Sequence, residues 1–423
     1  MFQSSWWARL QQVASIYKVA TLPLALVGTG VTGARFYNSW NPEGYARWYL
    51  WSISAGRFKE PAYAGPWVAN KSMTQIVRQA LKERKNFELM TLISGLEMSG
   101  KTSAVLKECH DQGKVGFFID LGFYMGKTND EKKIEEFVVG SLISNQTATF
   151  HSWLQHMKWL FFPQPQPDAV WKGLRGAFKA HPQELVLVVD EMQILANEVM
   201  QQRHRQHRGI LNEFCALSLW GNVVLVASEF FVAEYFKLMT HVTEHMRYSP
   251  APTSEEMQPH VKERFEADFG EEGVAQILRS LDGSFLLLRR LDQNRAVGIE
   301  GVKKWHKEQL TYSLELTEGG MKKGEEKATK TGEAMLAAAK MAFGLPVEAL
   351  HKNTLELAQV GGAKIETTDD GLQASWASPL TGEVMKELVC DKGVATIMKK
   401  RVPAETCKKF EQVIKGRCPT VKQ

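Results

Sequence analysis

The octet at positions 95–102 restricts the fold of this chain more than any other feature. It fits the pattern G-x-x-x-x-G-K-[ST] at every fixed position and consists of Gly95, Leu96, Glu97, Met98, Ser99, Gly100, Lys101 and Thr102. In such a loop the glycines let backbone N–H groups close on a phosphate, because a Cβ would hinder that approach. We therefore predict a phosphate-binding loop that extends to Ser103, in which Lys101 reaches the outer phosphates and Thr102 offers its hydroxyl to Mg²⁺.

The segments on either side of the octet supply the structural context that the motif requires. Residues 87–94 read as a buried strand, and residues 103–108 are a good opening for a helix. A glycine-rich turn before an ordinary helix is the alternative interpretation. The order strand, glycine-rich loop, helix favours phosphate binding over that alternative.

A second apolar strand, predicted for residues 184–189, ends in two acidic residues, Asp190 and Glu191. In nucleotide hydrolases such a strand delivers an aspartate to the Mg²⁺ shell. We therefore predict that Asp190 holds Mg²⁺ and that Glu191 polarises a water for attack on the γ-phosphate. A buried strand that stops at two solvated acids is the alternative, which the octet upstream disfavours.

A third strand, predicted for residues 221–227, ends in Ser228. A polar side chain at the tip of such a strand can contact the γ-phosphate or the attacking water. We expect Ser228 to take part in catalysis together with Glu191 and Lys101. A strand that is merely capped by serine is an equally good interpretation of this pattern.

These segments together resemble the P-loop ATPases that have an added strand and a catalytic glutamate. The resemblance is carried by the octet and by the runs LVLVVDEMQIL and GNVVLVASEF. The chain is similar in particular to the archaeal-type ATPase domain, which is related to the AAA+ and STAND proteins. The resemblance covers residues 65–310. The resemblance implies an α/β fold with a parallel sheet, a helical lid, and ATP and Mg²⁺ as cofactors.

The chain departs from that family pattern at two places. Asn70 and Lys71 stand near the position where the family has an arginine, which puts adenine contacts there in doubt. Residues 282–285 stand where these families often carry a Gly-x-Pro sensor turn, but the proline is absent.

Positive charge is concentrated in two segments. Residues 391–423 contain nine Lys and Arg and three Asp and Glu, a difference of +6, so this tail holds the whole net charge of +5. A basic tail can steer anionic partners, although a solvated terminus is the simpler interpretation. Residues 203–208 contain Arg203, Arg205 and Arg208, which could form an arginine finger, contact nucleic acid or line a solvated helix face.

The C-terminal part reads as a separate small module. Residues 317–333 are polar and contain glycine, which predicts a linker. Helices and then a hairpin, turning at 369–371 with the sequence Asp-Asp-Gly, follow and suggest a winged-helix-like α+β module over 334–390. Because the predicted wing carries Glu366, Asp369 and Asp370, contact with DNA phosphates is disfavoured and we expect a protein partner.

The N-terminal leader, residues 1–60, is rich in aromatic residues and poor in acids. Its first 42 residues contain Arg9, Lys18 and Arg35 and no acid, a pattern typical of a mitochondrial transit segment. Residues 19–34 are uncharged but, at 16 residues, fall short of the ~20 needed to span a bilayer. A short membrane anchor, a secretory signal and a cytoplasmic location are the alternatives. Five cysteines without a C-x-x-C pair read as reduced thiols and disfavour secretion.

We thus expect an ATPase that couples Mg-ATP binding and hydrolysis to a conformational switch acting on a protein partner or on a second copy. A nucleic-acid-handling ATPase and an ATP-dependent interaction protein with little turnover are the alternatives. A small-molecule kinase is less favoured, because no acceptor-site motif is visible. The predicted parts are a leader (1–60), an ATPase core (61–250), a helical lid (251–316), a linker (317–333), a winged-helix-like module (334–390) and a basic tail (391–423).

Overall fold

The computed structural model describes most of the chain outside the first 31 residues. The described residues are 32–51, 55–58, 68, 70–81, 90–95, 99–124, 131–144, 164–181, 184–195, 205–228, 232, 246–248, 252–281, 284–314, 316, 325–349, 351–368 and 371–418.

Within these residues, a six-stranded sheet in the order β1–β3–β4–β5–β2–β6 forms the centre of the molecule. The strands are β1 Gly56–Arg57, β2 Met90–Ser94, β3 Val115–Asp120, β4 Leu185–Asp190, β5 Asn222–Ala227 and β6 Met246–Tyr248. All neighbouring pairs are parallel except β1 with β3. The predicted α/β fold is confirmed, and β5 is the added strand that separates the octet strand from the acidic strand.

The alternation of side chains along β4 explains why the sheet is covered on both faces. Val186 and Val188 belong to one apolar cluster, whereas Leu185, Leu187 and Val189 belong to another. Successive side chains of a strand point to opposite faces, so a strand that is apolar throughout must be buried on both sides. Each such side chain contributes about 1.5–3 kcal/mol when it is fully buried.

Helices cover the two faces of the sheet. The first numbered helix is α1 Pro42–Tyr49. On one face of the sheet lie α2 Lys71–Leu81 and α3 Lys101–Asp111. The helices on the other face are α4 Glu131–Ser144, α5 Pro167–Ala180 and α6 Arg205–Ser218. Residues 150–162, in which apolar and aromatic residues recur at helical spacing, lie outside the described residues.

The end of the N-terminal leader is packed onto the core. Helix α1 lies against α5, and a Cβ on Gly173 would lie 2.6 Å from the Cβ of Ala46, so the close approach of the two helices requires glycine. Tyr45 and Tyr49 are fully buried. Residues 42–50 are therefore part of the body of the protein, although the sequence assigned them to the leader.

The predicted helical lid is confirmed and has its own apolar cluster. It consists of α7 Ser254–Leu281, α8 Phe285–Gln293, a 3-10 turn Arg295–Val297 and α9 Gly298–Ser313. Helix α7 is interrupted at Gly270, where φ is 66° and ψ is 180°.

The C-terminal part contains the predicted helices and hairpin. Its elements are α10 Glu325–Ala342, α11 Lys352–Gln359, β7 Ala363–Thr368, β8 Gly371–Trp376, α12 Pro379–Val389, α13 Lys392–Arg401 and α14 Ala404–Ile414. Two of the predicted boundaries do not coincide with structural ones. Helix α10 begins inside the predicted linker, and α14, from the predicted basic tail, packs against α10.

The expectation that all five cysteines are reduced is wrong for two of them. Cys390 and Cys418 form a disulfide with a Cα–Cα distance of 5.4 Å, whereas Cys109, Cys215 and Cys407 are free thiols. Sequence spacing could not reveal this pair, because α13 and α14 fold back to bring the two residues together. Among the described residues, no helix combines the length and the apolar character that crossing a membrane would require.

Candidate functional site

The octet forms the turn between β2 and α3 at the carboxyl edge of the sheet. Gly100 has φ 82° and ψ 10°, a left-handed conformation in which a side chain would be strained. No side chain caps the first turn of α3. The N–H groups at the start of a helix lack intrahelical partners and carry partial positive charge, so this turn suits a phosphate. Leu96, Glu97 and Met98 lie outside the described residues.

Lys101 is the first residue of helix α3, and its side chain is buried. Only 4% of the residue is exposed, and its Nζ donates to the carbonyl oxygen of Gly95 and to Oγ of Ser99, both at 3.2 Å. These two oxygens fix the ammonium group between the end of β2 and the start of α3. The predicted position of Lys101 next to a bound phosphate is therefore compatible with the fold, and Ser103 follows within the first turn of α3.

Thr102 and Asp190 meet across the sheet edge, 88 residues apart in the chain. The Oγ1 atom of Thr102 donates to Oδ2 of Asp190 at 2.7 Å, and the N–H of Glu191 donates to Oδ1 at 2.9 Å. Burial raises the pKa of Asp190 to about 6, against the lowering effect of the two hydrogen bonds. The negative charges of Glu191 and Asp120 raise it further.

The donor set of this pair fits Mg²⁺. A hydroxyl and a carboxylate are hard oxygen ligands, and a dication would offset the desolvation of the Asp190 carboxylate. In the part of the chain that the structure describes, no group of three or more His, Cys, Asp or Glu side chains is placed to hold a metal. Mg²⁺ commonly binds through one or two protein oxygens and takes its remaining ligands from water and substrate phosphate. Thr102 and Asp190 would hold the ion in that manner.

Glu191 follows the buried strand in a strained conformation. Its φ of 58° makes it the one non-glycine residue with positive φ among the described residues. Such conformations cost about 1–3 kcal/mol and persist where surrounding contacts enforce them. The neighbouring Met192 supplies one such contact, because its N–H donates to the carbonyl of Val226 at 3.0 Å.

Gln193 is a site residue that the sequence analysis missed. Its Nε2 donates to the carboxylate of Glu191, and its Oε1 accepts from the backbone N–H of Ser228 at 3.1 Å. Gln193 is 8% exposed, so both contacts are shielded from water. The signal for it was present in the run DEMQ, where an amide stands two residues after the predicted catalytic glutamate.

Ser228 lies at the end of β5, as predicted, and is half-buried. The structure brings its backbone N–H into the Glu191–Gln193 network. The predicted contact of its hydroxyl with a phosphate or a water stays a prediction.

Asp120 adds a further acid to this edge of the sheet. It stands opposite Asp190 in the β3–β4 register, and its Oδ1 accepts from the N–H of Gly122 at 2.8 Å. The sequence analysis did not identify Asp120 as a site residue. In the structure it lies close enough to raise the pKa of Asp190.

The departures from the family pattern have structural explanations. Oδ1 of Asn70 accepts from the N–H of Met73 at 2.8 Å and so caps helix α2. The backbone N–H of Lys71 donates to Oε1 of Glu256 at 2.8 Å, which ties α2 to the lid. Ser284 caps α8 through the N–H of Leu287 at 3.4 Å. The arginine finger predicted in residues 203–208 stays a prediction, because residues 201–204 lie outside the described part.

No family model matches the chain, and no curated protein matches it. Its fold is similar to that of a Walker-type ATPase of Pyrococcus abyssi, with a TM-score of 0.49 and 15% identity over 80% of this chain and 99% of that one. It is also similar to the Aeropyrum pernix ORC1 protein, solved in complex with DNA, with a TM-score of 0.35 and 13% identity over 83% of this chain and 98% of that one.

A third likeness is to AMPPCP-bound DnaA from Aquifex aeolicus, with a TM-score of 0.32 and 11% identity over 70% of this chain and 84% of that one. Because these scores and identities are low, the likenesses assign no activity. The strand order of the chain itself places the octet strand between β5 and β6 and Asp190 at the tip of β4.

Proposed function

We propose that this chain binds Mg-ATP at residues 95–103, hydrolyses it, and passes the resulting change in conformation to a protein partner. One observation carries the proposal. The hydrogen bond between Thr102 and Asp190 joins the predicted phosphate loop to the predicted acidic strand, at the edge where the uncapped start of α3 and the Lys101 ammonium also lie.

Phosphate binding follows from charge and geometry. The uncapped turn of α3 offers backbone N–H groups, and Lys101 offers a cation that is largely removed from water. Electrostatic attraction is stronger in such a shielded site than in bulk solvent. Bound Mg²⁺, held by Thr102 and Asp190, would neutralise part of the phosphate charge.

Glu191 is the residue best placed to orient a water for attack on the γ-phosphate. Phosphoryl transfer needs positioning and charge stabilisation more than covalent chemistry, and a fixed carboxylate supplies positioning. Gln193 fixes that carboxylate by holding it to the tip of β5. Gln193 thereby becomes a positioning residue, which acts on the water through Glu191.

The route from the site to the rest of the molecule is supported by the position of the hairpin. Strand β6 pairs with β2, the strand that leads into the octet, so that Ser94 stands opposite Tyr248. Strand β7 of the hairpin lies against β6. A shift of the loop on hydrolysis can therefore reach the C-terminal module through a single intervening strand.

The nucleic-acid alternative receives less support from the tail. Lys399 pairs with Glu411 at 3.0 Å, and Lys409 pairs with Glu405 at 2.7 Å, so part of the positive charge is already paired within the tail. A salt-dependent affinity for DNA would restore this alternative.

We further propose that residues 1–42 direct the chain into mitochondria. This proposal rests on the sequence of that segment alone. A fluorescent reporter fused after residue 42 carries this whole segment and leaves out the rest of helix α1, which packs on the core. Mitochondrial fluorescence is expected, and a reporter that is diffuse or secreted would contradict the localisation.

The binding step is tested by Lys101→Ala, with Lys107→Ala as the matched control. Both lysines lie on α3, but Lys107 pairs with Asp111 on the surface rather than facing the loop. Titration with a fluorescent ATP analogue should show binding for the parent chain and the control and no measurable binding for Lys101→Ala. Equal affinity in all three proteins would remove the assignment of the phosphate loop.

A further inference from the structure

A cavity of about 420 Å³ lies in the C-terminal module, between the end of α10 and the start of α11. Its volume falls in the range of roughly 300–1,000 Å³ that small-molecule sites occupy. Two residues of opposite charge, two apolar residues, a histidine and an asparagine contribute to its lining, namely Lys340, Glu348, Pro346, Val347, His351 and Asn353. None of them belongs to the octet, the acidic strand or β5.

Asn353 gives the cavity a buried polar atom without a partner. The residue is 6% exposed, and its Oδ1 atom accepts no hydrogen bond. Leaving such an atom unpaired costs free energy, and buried polar groups are therefore nearly always satisfied. Because Asn353 lines the cavity, an N–H group of a ligand bound there would satisfy Oδ1.

His351, directly before α11, provides a donor beside this acceptor. Its Nδ1 accepts from the backbone N–H of Asn353 at 3.2 Å, so the proton of the neutral ring is on Nε2. His351 is exposed, and its Nε2–H can donate to a ligand. The start of α11 adds partial positive charge, which favours an anionic group of the ligand.

Backbone contacts hold the walls of the cavity in place. After α10 the chain turns at Gly344, where φ is 65°, and the N–H of Leu345 donates to the carbonyl of Lys340 at 2.8 Å. Further along, the carbonyl of Glu348 accepts from Oγ1 of Thr354, also at 2.8 Å. The connection between the two helices is thus tied to both of them, which preorganises the cavity.

The charges that line the cavity cancel. Lys340 is half-buried and contributes a cation, and Glu348 is exposed and contributes an anion. A ligand with one group of each sign can match both charges, whereas a singly charged ligand leaves one of them without a counterpart. Pro346 and Val347 add apolar surface, which suits a hydrocarbon side chain.

We infer that this cavity binds a free aliphatic α-amino acid. Its carboxylate would pair with Lys340 and accept from Nε2 of His351. Its ammonium group would donate to Oδ1 of Asn353 and pair with Glu348, and its side chain would lie against Pro346 and Val347. The inference does not rest on nucleotide binding or hydrolysis.

Equilibrium dialysis of the full chain with radiolabelled L-leucine, and separately with L-valine, tests the inference. We expect saturable binding of at least one of the two. Competition with unlabelled analogues tests the recognition of each charge, because L-leucinamide lacks the carboxylate and N-acetyl-L-leucine lacks the ammonium group. Each analogue should compete about tenfold more weakly than L-leucine, or worse, since it loses a charge-assisted hydrogen bond.

Asn353→Leu removes the amide at nearly constant size. It should weaken amino-acid binding by about 10–100-fold. Because Oδ1 has no partner within the chain, the urea midpoint of this variant should be no lower than that of the parent.

Lys340→Met keeps most of the side-chain length but loses the charge, and it should also weaken binding. Lys386→Met is the matched control, because Lys386 on α12 is exposed and does not line the cavity. It should bind like the parent chain. Urea denaturation shows that each variant is folded.

Four results would overturn the inference. The folded parent chain could bind neither amino acid, which would leave the cavity to water. Asn353→Leu could lower the urea midpoint without changing amino-acid affinity, which would make Asn353 structural. Lys340→Met could bind as tightly as the Lys386→Met control. N-acetyl-L-leucine could compete as well as L-leucine, which would indicate a site for the carboxyl end of a peptide chain.

Discussion

The carboxyl edge of the sheet and the interface between the lid and the C-terminal module are both built from residues far apart in the chain. At the sheet edge, Thr102 meets Asp190 through a polar contact between residue types that the motifs require. At the interface, His306 on α9 bonds Oγ1 of Thr381 on α12 at 2.9 Å, and neither residue belongs to a motif. Polar residues that belong to a chemical motif can be recognised from the sequence. Residues that pair because two surfaces pack together cannot.

The largest expected effect is at the sheet edge. Glu191→Gln keeps the size of the side chain and its ability to bond Gln193, but it loses the charge that aligns water. Turnover should fall by about 10²–10⁴-fold, the usual contribution of a positioned catalytic group, while ATP binding is retained. Phosphate release and analogue titration measure the two quantities. Parental turnover in this variant would make Glu191 only the end of a strand.

The next effect concerns the tail that the sequence treated as a solvated terminus. Phe410 on α14 is 1% exposed and belongs to the main core cluster. Phe410→Ala should lower the free energy of unfolding by about 3–5 kcal/mol, because it leaves a cavity. Urea denaturation measures this, and Lys408→Ala on the exposed side of α14 is the control. A loss no larger than that of the control would show that α14 does not pack on the body.

The pH dependence of the free energy of unfolding tests the interface between the lid and the C-terminal module. Burial lowers the pKa of His306 to about 4, whereas an unfolded histidine titrates near 6.5. Between these values the unfolded chain binds a proton that the folded chain does not, so stability falls as pH decreases from 6.5 to 4. The total loss from this residue is at most about 3 kcal/mol.

His306→Gln can keep a hydrogen bond to Thr381 but does not titrate. The free energy of unfolding of this variant should change less between pH 7 and pH 5 than that of the parent chain. Urea denaturation at the two pH values measures the difference. An equal pH dependence in the two proteins would mean that folding does not lower the pKa of His306.

The smallest expected effect distinguishes a positioning role of Gln193 from a catalytic role of Ser228. Gln193→Ala removes both contacts that hold Glu191 to β5 and should reduce the turnover number about tenfold, with little change in ATP affinity. Ser228→Ala keeps the backbone N–H that Gln193 uses and should change turnover less. A larger loss in Ser228→Ala than in Gln193→Ala would assign the catalytic role to the serine hydroxyl.

The C-terminal module illustrates how far the sequence could be interpreted. The Asp-Gly turn predicted the hairpin, which the structure contains as β7 and β8. The polar, glycine-containing segment predicted a linker over 317–333, yet α10 begins at Glu325. Composition identifies segments that tolerate solvent, but it does not show where a helix gains enough contacts with α11 and α14 to extend into such a segment.

The sequence by itself determined the glycine-containing turn between β2 and α3, the acidic strand and the parallel sheet. Each depends on local chemistry: glycine for positive φ and close approach, apolar runs for strands buried on both faces, and carboxylates at strand ends. Tertiary structure alone decided the Gln193 bridge, the docking of α1 on α5 and the Cys390–Cys418 bond. These contacts depend on how distant surfaces fit, and many combinations of residues satisfy that requirement equally well.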